Sequence, residues 1–251
     1  MHSFPLHYLP IVFCATVIIT FIVSYAMSTA LGDVSALFPY ISDTGTLAPE
    51  SCVFGQFLNL CAFLGCLSIY CWYGHQMDRL ENLGNPRSHI LHAYVSLGFG
   101  LAGAIGLSIV GNFQETSLLV VHLIGALMTF GFGTLYIILC SHASRKHLRS
   151  PQWLWVLRTI LASICLVSLV AMFLFAGLCG GIKKLPPAKW DPNDENYVYH
   201  ALSTTFEWVM AFAFLCHFLT MTYELRDYKL DPVKVRYRYV LPASEEQPLI
   251  T

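Results

Sequence analysis

Apolar residues run along the chain in six long blocks separated by short polar intervals. The blocks fall near Tyr8–Ala30, Cys52–Tyr73, Ile90–Val110, Leu118–Cys140, Leu154–Cys179 and Ala201–Tyr223. Each has the length of about 20 residues that a helix needs to cross a bilayer, and few charges interrupt them. The pattern predicts an all-α polytopic membrane protein, a six-transmembrane-helix bundle. Residues 1–223 read as the membrane domain and 224–251 as a tail, with no soluble domain. The first block is longer than a usual signal-peptide core and no Lys or Arg precedes it, so it reads as an uncleaved helix.

Composition sharpens this picture. Of 251 residues, 56% are hydrophobic and 12% charged, against about 25% charged in ordinary soluble domains. That excludes a disordered chain and an ordinary cytosolic enzyme. A net charge of −1 leaves no basic excess for nucleic acid. The basic residues are nevertheless unevenly placed. Arg79, Arg87, Arg145, Lys146, Arg149, Arg226, Lys229, Lys234, Arg236 and Arg238 fall on one side of the topology, and only Lys183, Lys184 and Lys189 on the other. Positive charge marks the cytoplasmic side. Both termini are therefore expected in the cytoplasm, and loops 31–51 and 181–200 on the lumenal side. Trp72, Tyr73, Trp153 and Trp155 are expected in the cytoplasmic aromatic belt.

Small residues at i, i+4 let helices approach closely. Gly98, Ala102 and Gly106 have that spacing in span three, as do Gly100 with Ala104, and Gly125, Thr129 and Gly133 in span four. Packing within the chain is the main expectation, and homodimerisation the alternative. The nine cysteines form no CxxC pair. Cys52 with Cys179 is a disulfide candidate, and Cys71 and Cys140 are candidate palmitoylation sites. No glycosylation sequon occurs.

Ionisable groups inside a membrane are expensive and usually face the bundle interior. Glu207 lies two turns into span six, and His200, Ser203 and Thr204 share its face by the three-, four- and seven-residue spacing. His122 lies one turn into span four at the same depth, and Asp33 and Asp43 come from the first lumenal loop. Asp43, His122, His200 and Glu207 thus form a candidate lumenal-side cluster. It has three readings: a structural hydrogen-bond network, a pocket for a lipid headgroup or small ligand, or a catalytic or metal site. No metal-binding or nucleophile-elbow motif supports the third, so no cofactor or metal is assigned. His92 and His217 read as isolated packing residues.

The tail ends Glu245-Glu246-Gln247-Pro248-Leu249-Ile250-Thr251. Glu245 stands four positions before the Leu249–Ile250 pair, the form of an acidic dileucine sorting signal. Clathrin adaptors are the partners this predicts, with delivery to endosomes and lysosomes.

Several stretches carry a family resemblance: Phe38-Pro39-Tyr40-Ile41-Ser42-Asp43-Thr44-Gly45-Thr46, Gly111-Asn112-Phe113-Gln114, Trp190-Asp191-Pro192, Tyr197-Val198-Tyr199-His200 and Glu207-Trp208. The chain resembles the DNA-damage-regulated autophagy modulator family, within the wider Frag/DRAM/Sfk group. The resemblance implies a six-span lysosomal and endosomal membrane protein that promotes autophagy and, in some members, cell death. Wider relatives act on lipid organisation, which favours membrane lipids as partners. The expectation is a non-enzymatic regulator. A lipid-binding or lipid-modifying protein using the lumenal-side cluster is the first alternative, and a transporter or channel the second.

Overall fold

The computed structural model describes residues 4–84, 86–180 and 189–230. Six long helices fill it: α1 Tyr8–Leu31, α2 Glu50–Asn82, α3 Arg87–Asn112, α4 Glu115–Lys146, α5 Gln152–Leu178 and α6 Tyr197–Leu225. All six are long and apolar enough to cross a membrane. Two short strands, β1 (Phe4–Pro5) and β2 (Lys229–Leu230), pair antiparallel. Both described ends of the chain therefore meet at one end of the bundle, here the terminal end. The loops joining α1–α2, α3–α4 and α5–α6 gather at the opposite loop end.

Neighbouring helices pack in sequence order, and α6 closes the bundle against α1 and α2. Residues such as Ile22, Phe63, Val120 and Val167 point outward and stay exposed, as expected where the surrounding solvent is hydrocarbon. The inner core includes Phe13 against Phe218, with ring centroids 4.5 Å apart, and the fully buried Trp72. Trp72 is thus a core residue and not part of an interfacial belt.

The small residues of α3 work within the chain. A Cβ on Gly106 would meet Thr129 N at 2.6 Å and Gly125 O at 2.7 Å, so glycine is what lets α3 and α4 touch backbone to backbone. Gly98 faces open space, so the tight face runs through Gly103 and Gly106 and not through Gly98. Helix α4 is also less regular than its apolar run suggests. It begins at Glu115, kinks at Leu118 and widens into a π-turn over Met128–Phe132. Its first half packs on α3 and has little contact with α5. Its second half packs firmly on α5.

Two cysteine expectations are corrected. Cys52 is an exposed free thiol, so no Cys52–Cys179 bridge forms. Cys140 is completely buried and sits 3.8 Å from the Ser96 hydroxyl, out of reach of an acyl chain.

Candidate functional site at the loop end

Why the α1–α2 loop enters the bundle follows from its sequence. Pro39, Asp43 and Gly45 favour turns, and Asp43–Gly45 forms a 3₁₀ turn. Gly45 packs directly against the Phe54 ring, where any side chain would collide. Backbone groups at this depth need partners, and the helices supply them. The Ile41 N–H donates to Glu207 Oε2 at 2.7 Å. Trp208 Nε1–H donates to Pro39 O at 3.0 Å. Ser24 Oγ and Thr44 Oγ1 lie 2.9 Å apart. The Tyr40 hydroxyl donates to Ser203 Oγ at 2.6 Å, and Ser203 in turn donates to Met172 O at 2.8 Å. The loop is a plug held by α1, α2 and α6.

Beside the plug lies a cavity of about 490 Å³. Asp43, His122, His200 and Glu207 all border it, and Tyr40, Glu115 and Trp190 join them. All four sequence candidates are buried, at 3–5% exposure, but they do not bond one another directly. His122 Nδ1 pairs with Phe113 O at 2.8 Å and holds the α3–α4 turn. If that nitrogen carries the proton, Nε2 remains as the acceptor of the neutral ring. His200 is packed between aromatic rings, stacked on Trp190 at 4.5 Å and edge-on to Tyr40 at 5.3 Å. Glu207 spends one oxygen on the plug. Asp43 Oδ2 accepts from Tyr40 N at 3.2 Å, and its carboxyl faces that of Glu115. Burial, then the Glu115 carboxyl, pushes Asp43 well above the ordinary carboxylate range. Burial likewise raises the Tyr40 phenol. Asp33 borders neither this cavity nor the second one described next.

A second, narrower cavity of about 140 Å³ continues into the bundle core. It shares Ser42, His122, Ala126, Phe130 and Glu207 with the first. The polar cluster therefore caps an apolar interior space. Among the described residues no set of His, Cys, Asp and Glu is arranged to hold a metal.

Three features were missed in the sequence. Glu115 falls before the apolar block that begins at Leu118, but it is the first residue of α4 and its carboxyl meets Thr46 and Asp43 of the plug. Arg158 and Glu224 are both buried at the terminal end and paired at 2.8 Å. Thr220 and Ser144 complete the Arg158 bonds, and Trp72 Nε1–H and Ser150 Oγ–H donate to Glu224. Finally, His92 is not isolated. It joins His89, His142 and His147 in one group, with His89 and His147 stacked at 3.9 Å and His92 4.6 Å from His147 and 5.4 Å from His142. The i, i+3 spacing of His89 and His92 was the available signal.

Six spanning helices and a polar cluster buried among them define a multi-pass membrane protein. The Frag1/DRAM/Sfk1/Cwh43P N-terminal domain model matches residues 5–228. The chain is 36% identical over 214 residues to DNA damage-regulated autophagy modulator protein 1 of Homo sapiens, covering 84% of this chain and 87% of the relative. It is 34% identical over 239 residues to DNA damage-regulated autophagy modulator protein 2 of Rattus norvegicus, covering 92% and 86%. Modulator of macroautophagy TMEM150B of Danio rerio is 35% identical over 150 residues, covering 59% and 62%. The chain belongs to the DRAM family within the Frag1/DRAM/Sfk1 group. No solved structure matches it. The predicted sorting residues Glu245, Leu249 and Ile250 lie outside the described residues.

Proposed function

We propose that this chain is a regulator of lysosomal and endosomal membranes that promotes autophagy, without enzymatic activity of its own, and that it acts by engaging a membrane lipid in the loop-end cavity. The observation that carries the lipid reading is the cavity itself: buried polar groups at its mouth and apolar walls beneath, among the membrane-spanning helices. The relatives' names, modulators of autophagy, support the pathway. The charge asymmetry of the loops supports cytoplasmic termini, which makes the loop end lumenal. The tail signal at Glu245, Leu249 and Ile250 then faces the adaptors that would deliver the protein. Effects on apoptosis would follow from altered lysosomal turnover.

The test is rescue of autophagic flux in cells lacking the protein. Wild type is compared with His122→Ala and Glu207→Gln at matched protein level and location. We expect both variants to reach lysosomes and rescue poorly. Full rescue by both would reduce the cluster to a structural role and remove the lipid mechanism. Separately, Leu249→Ala with Ile250→Ala should move the protein to the cell surface, and unchanged lysosomal staining would overturn the sorting assignment.

A further inference from the structure

The loop-end cavity has an unbalanced charge. Asp43, Glu115 and Glu207 border it at 4%, 8% and 5% exposure, and among the described residues no Lys or Arg lines it. Buried carboxylates ordinarily have a cationic partner or take up a proton. At the terminal end of this same bundle a buried carboxylate does have such a partner, because Glu224 has Arg158. A second observation points the same way. His200 is 3% exposed, and its ring nitrogens have no hydrogen-bond partner among the described residues, only ring contacts. An imidazole buried and left without a partner at a cavity wall is a polar group waiting for a ligand. Below these groups the walls turn apolar through Leu123, Leu127, Phe130 and Phe173. That arm lies where the first half of α4 has little contact with α5, and Leu123, Leu127 and Phe173 are exposed there on the outside of the bundle.

We propose that the cavity binds an amphiphile with a primary ammonium headgroup, the ammonium seated among Asp43, Glu115 and Glu207 and the hydrocarbon tail lying between α4 and α5. The inference rests on the lipid reading above and specifies its chemistry. A primary ammonium brings three N–H donors to three carboxyl groups. A quaternary ammonium brings none and relies on open aromatic faces, yet the Trp190 face is taken by His200. An anionic headgroup meets carboxyl groups, and no Lys or Arg among the described lining residues pairs with it. The volume of about 490 Å³ is in the range of ordinary small-ligand pockets, enough for a headgroup and the upper part of one chain.

The experiment uses the full chain purified in detergent, with bound ligand quantified by native mass spectrometry. The probes are oleylamine, oleyltrimethylammonium and oleic acid, which share a chain and differ in headgroup. Oleylamine is expected to bind at least ten-fold tighter than the other two. Glu207→Gln and Asp43→Asn should each weaken it at least ten-fold. Because those variants touch the plug, Leu123→Trp serves as an independent check. It fills the apolar arm, leaves the carboxyls intact, and should also weaken binding while the melting temperature is retained. Phosphatidylethanolamine and sphingosine distinguish a phospholipid headgroup from a free long-chain amine, and preference for either supports the proposal. Equal binding of the three oleyl probes, preference for oleic acid, or wild-type binding by folded Glu207→Gln and Leu123→Trp would overturn it. If binding fails while the flux comparison above still separates wild type from variants, only the ligand class falls.

Discussion

The two ends of this bundle bury polar groups in opposite ways. At the terminal end Arg158 is fully buried, and its guanidinium is matched by Glu224, Thr220 and Ser144. The carboxylate it meets is matched by Trp72 and Ser150 as well. At the loop end three carboxyl groups border a cavity with no Lys or Arg among its described lining residues. A closed network holds helices together and has no capacity left for a ligand. An open one costs stability and persists where something else uses it. The difference separates a structural clamp from a candidate site more surely than polarity alone.

The most damaging way to break the comparison is at the clamp. Arg158→Ala leaves Glu224 buried without its partner, and such losses run to about 3–5 kcal/mol. Arg158→Met with Glu224→Leu should recover much of that, because the stranded charge is gone. Unfolding in detergent with added denaturant reads both, and an undamaged single variant would show that the clamp is not structural. A smaller effect is expected at the plug. Glu207→Ala strands the Ile41 N–H and should cost about 1–3 kcal/mol, whereas Glu207→Gln keeps an acceptor oxygen and should cost less. Equal losses would mean that the carboxylate charge, and not the hydrogen bond, holds the plug.

The smallest effects are in pH dependence, where the two ends should have opposite slopes. Asp43 is raised above 3.8 by burial and by Glu115, with Glu207 adding. The native chain keeps a proton that the unfolded chain has lost, so this contribution is full below about 3.8 and fades as pH rises. His147 is lowered from 6.5 to about 4 by burial, with His89, His92 and His142 adding. Its contribution is present above 6.5 and is lost as pH falls toward 4. Melting temperatures between pH 4 and 7 should show Asp43→Asn removing the acid-favoured component, about 2–4 °C for each kcal/mol involved. His147→Gln should remove the neutral-favoured one. Matching slopes in the two variants would contradict the assignment.

Much of the fold is written in the spacing of apolar residues. All six spans follow from length and hydropathy, because a bilayer demands both of every crossing segment. The shared face of His200, Ser203 and Glu207 also follows from helical periodicity. What could not be read is how segments distant in the chain meet. The depth to which the α1–α2 loop enters depends on Gly45 lying against Phe54, a contact between a turn and a helix face with no periodic signature. Glu115 belongs with Asp43 only because the plug brings them together. The four histidines come from α3 and from the end of α4, and Arg158 with Glu224 from α5 and α6. Each single residue looked ordinary, and only their convergence distinguishes them.

The pairing of Phe4–Pro5 with Lys229–Leu230 has a consequence for biogenesis. The first strand emerges from the ribosome more than two hundred residues before its partner. At about 5–20 residues per second it waits on the order of ten to forty seconds. Until then α1 lacks its α6 neighbour, and Phe13 lacks Phe218. Release of the completed chain is therefore the step at which the bundle can close. Truncations that remove β2 should leave inserted helices that remain clients of the quality-control machinery.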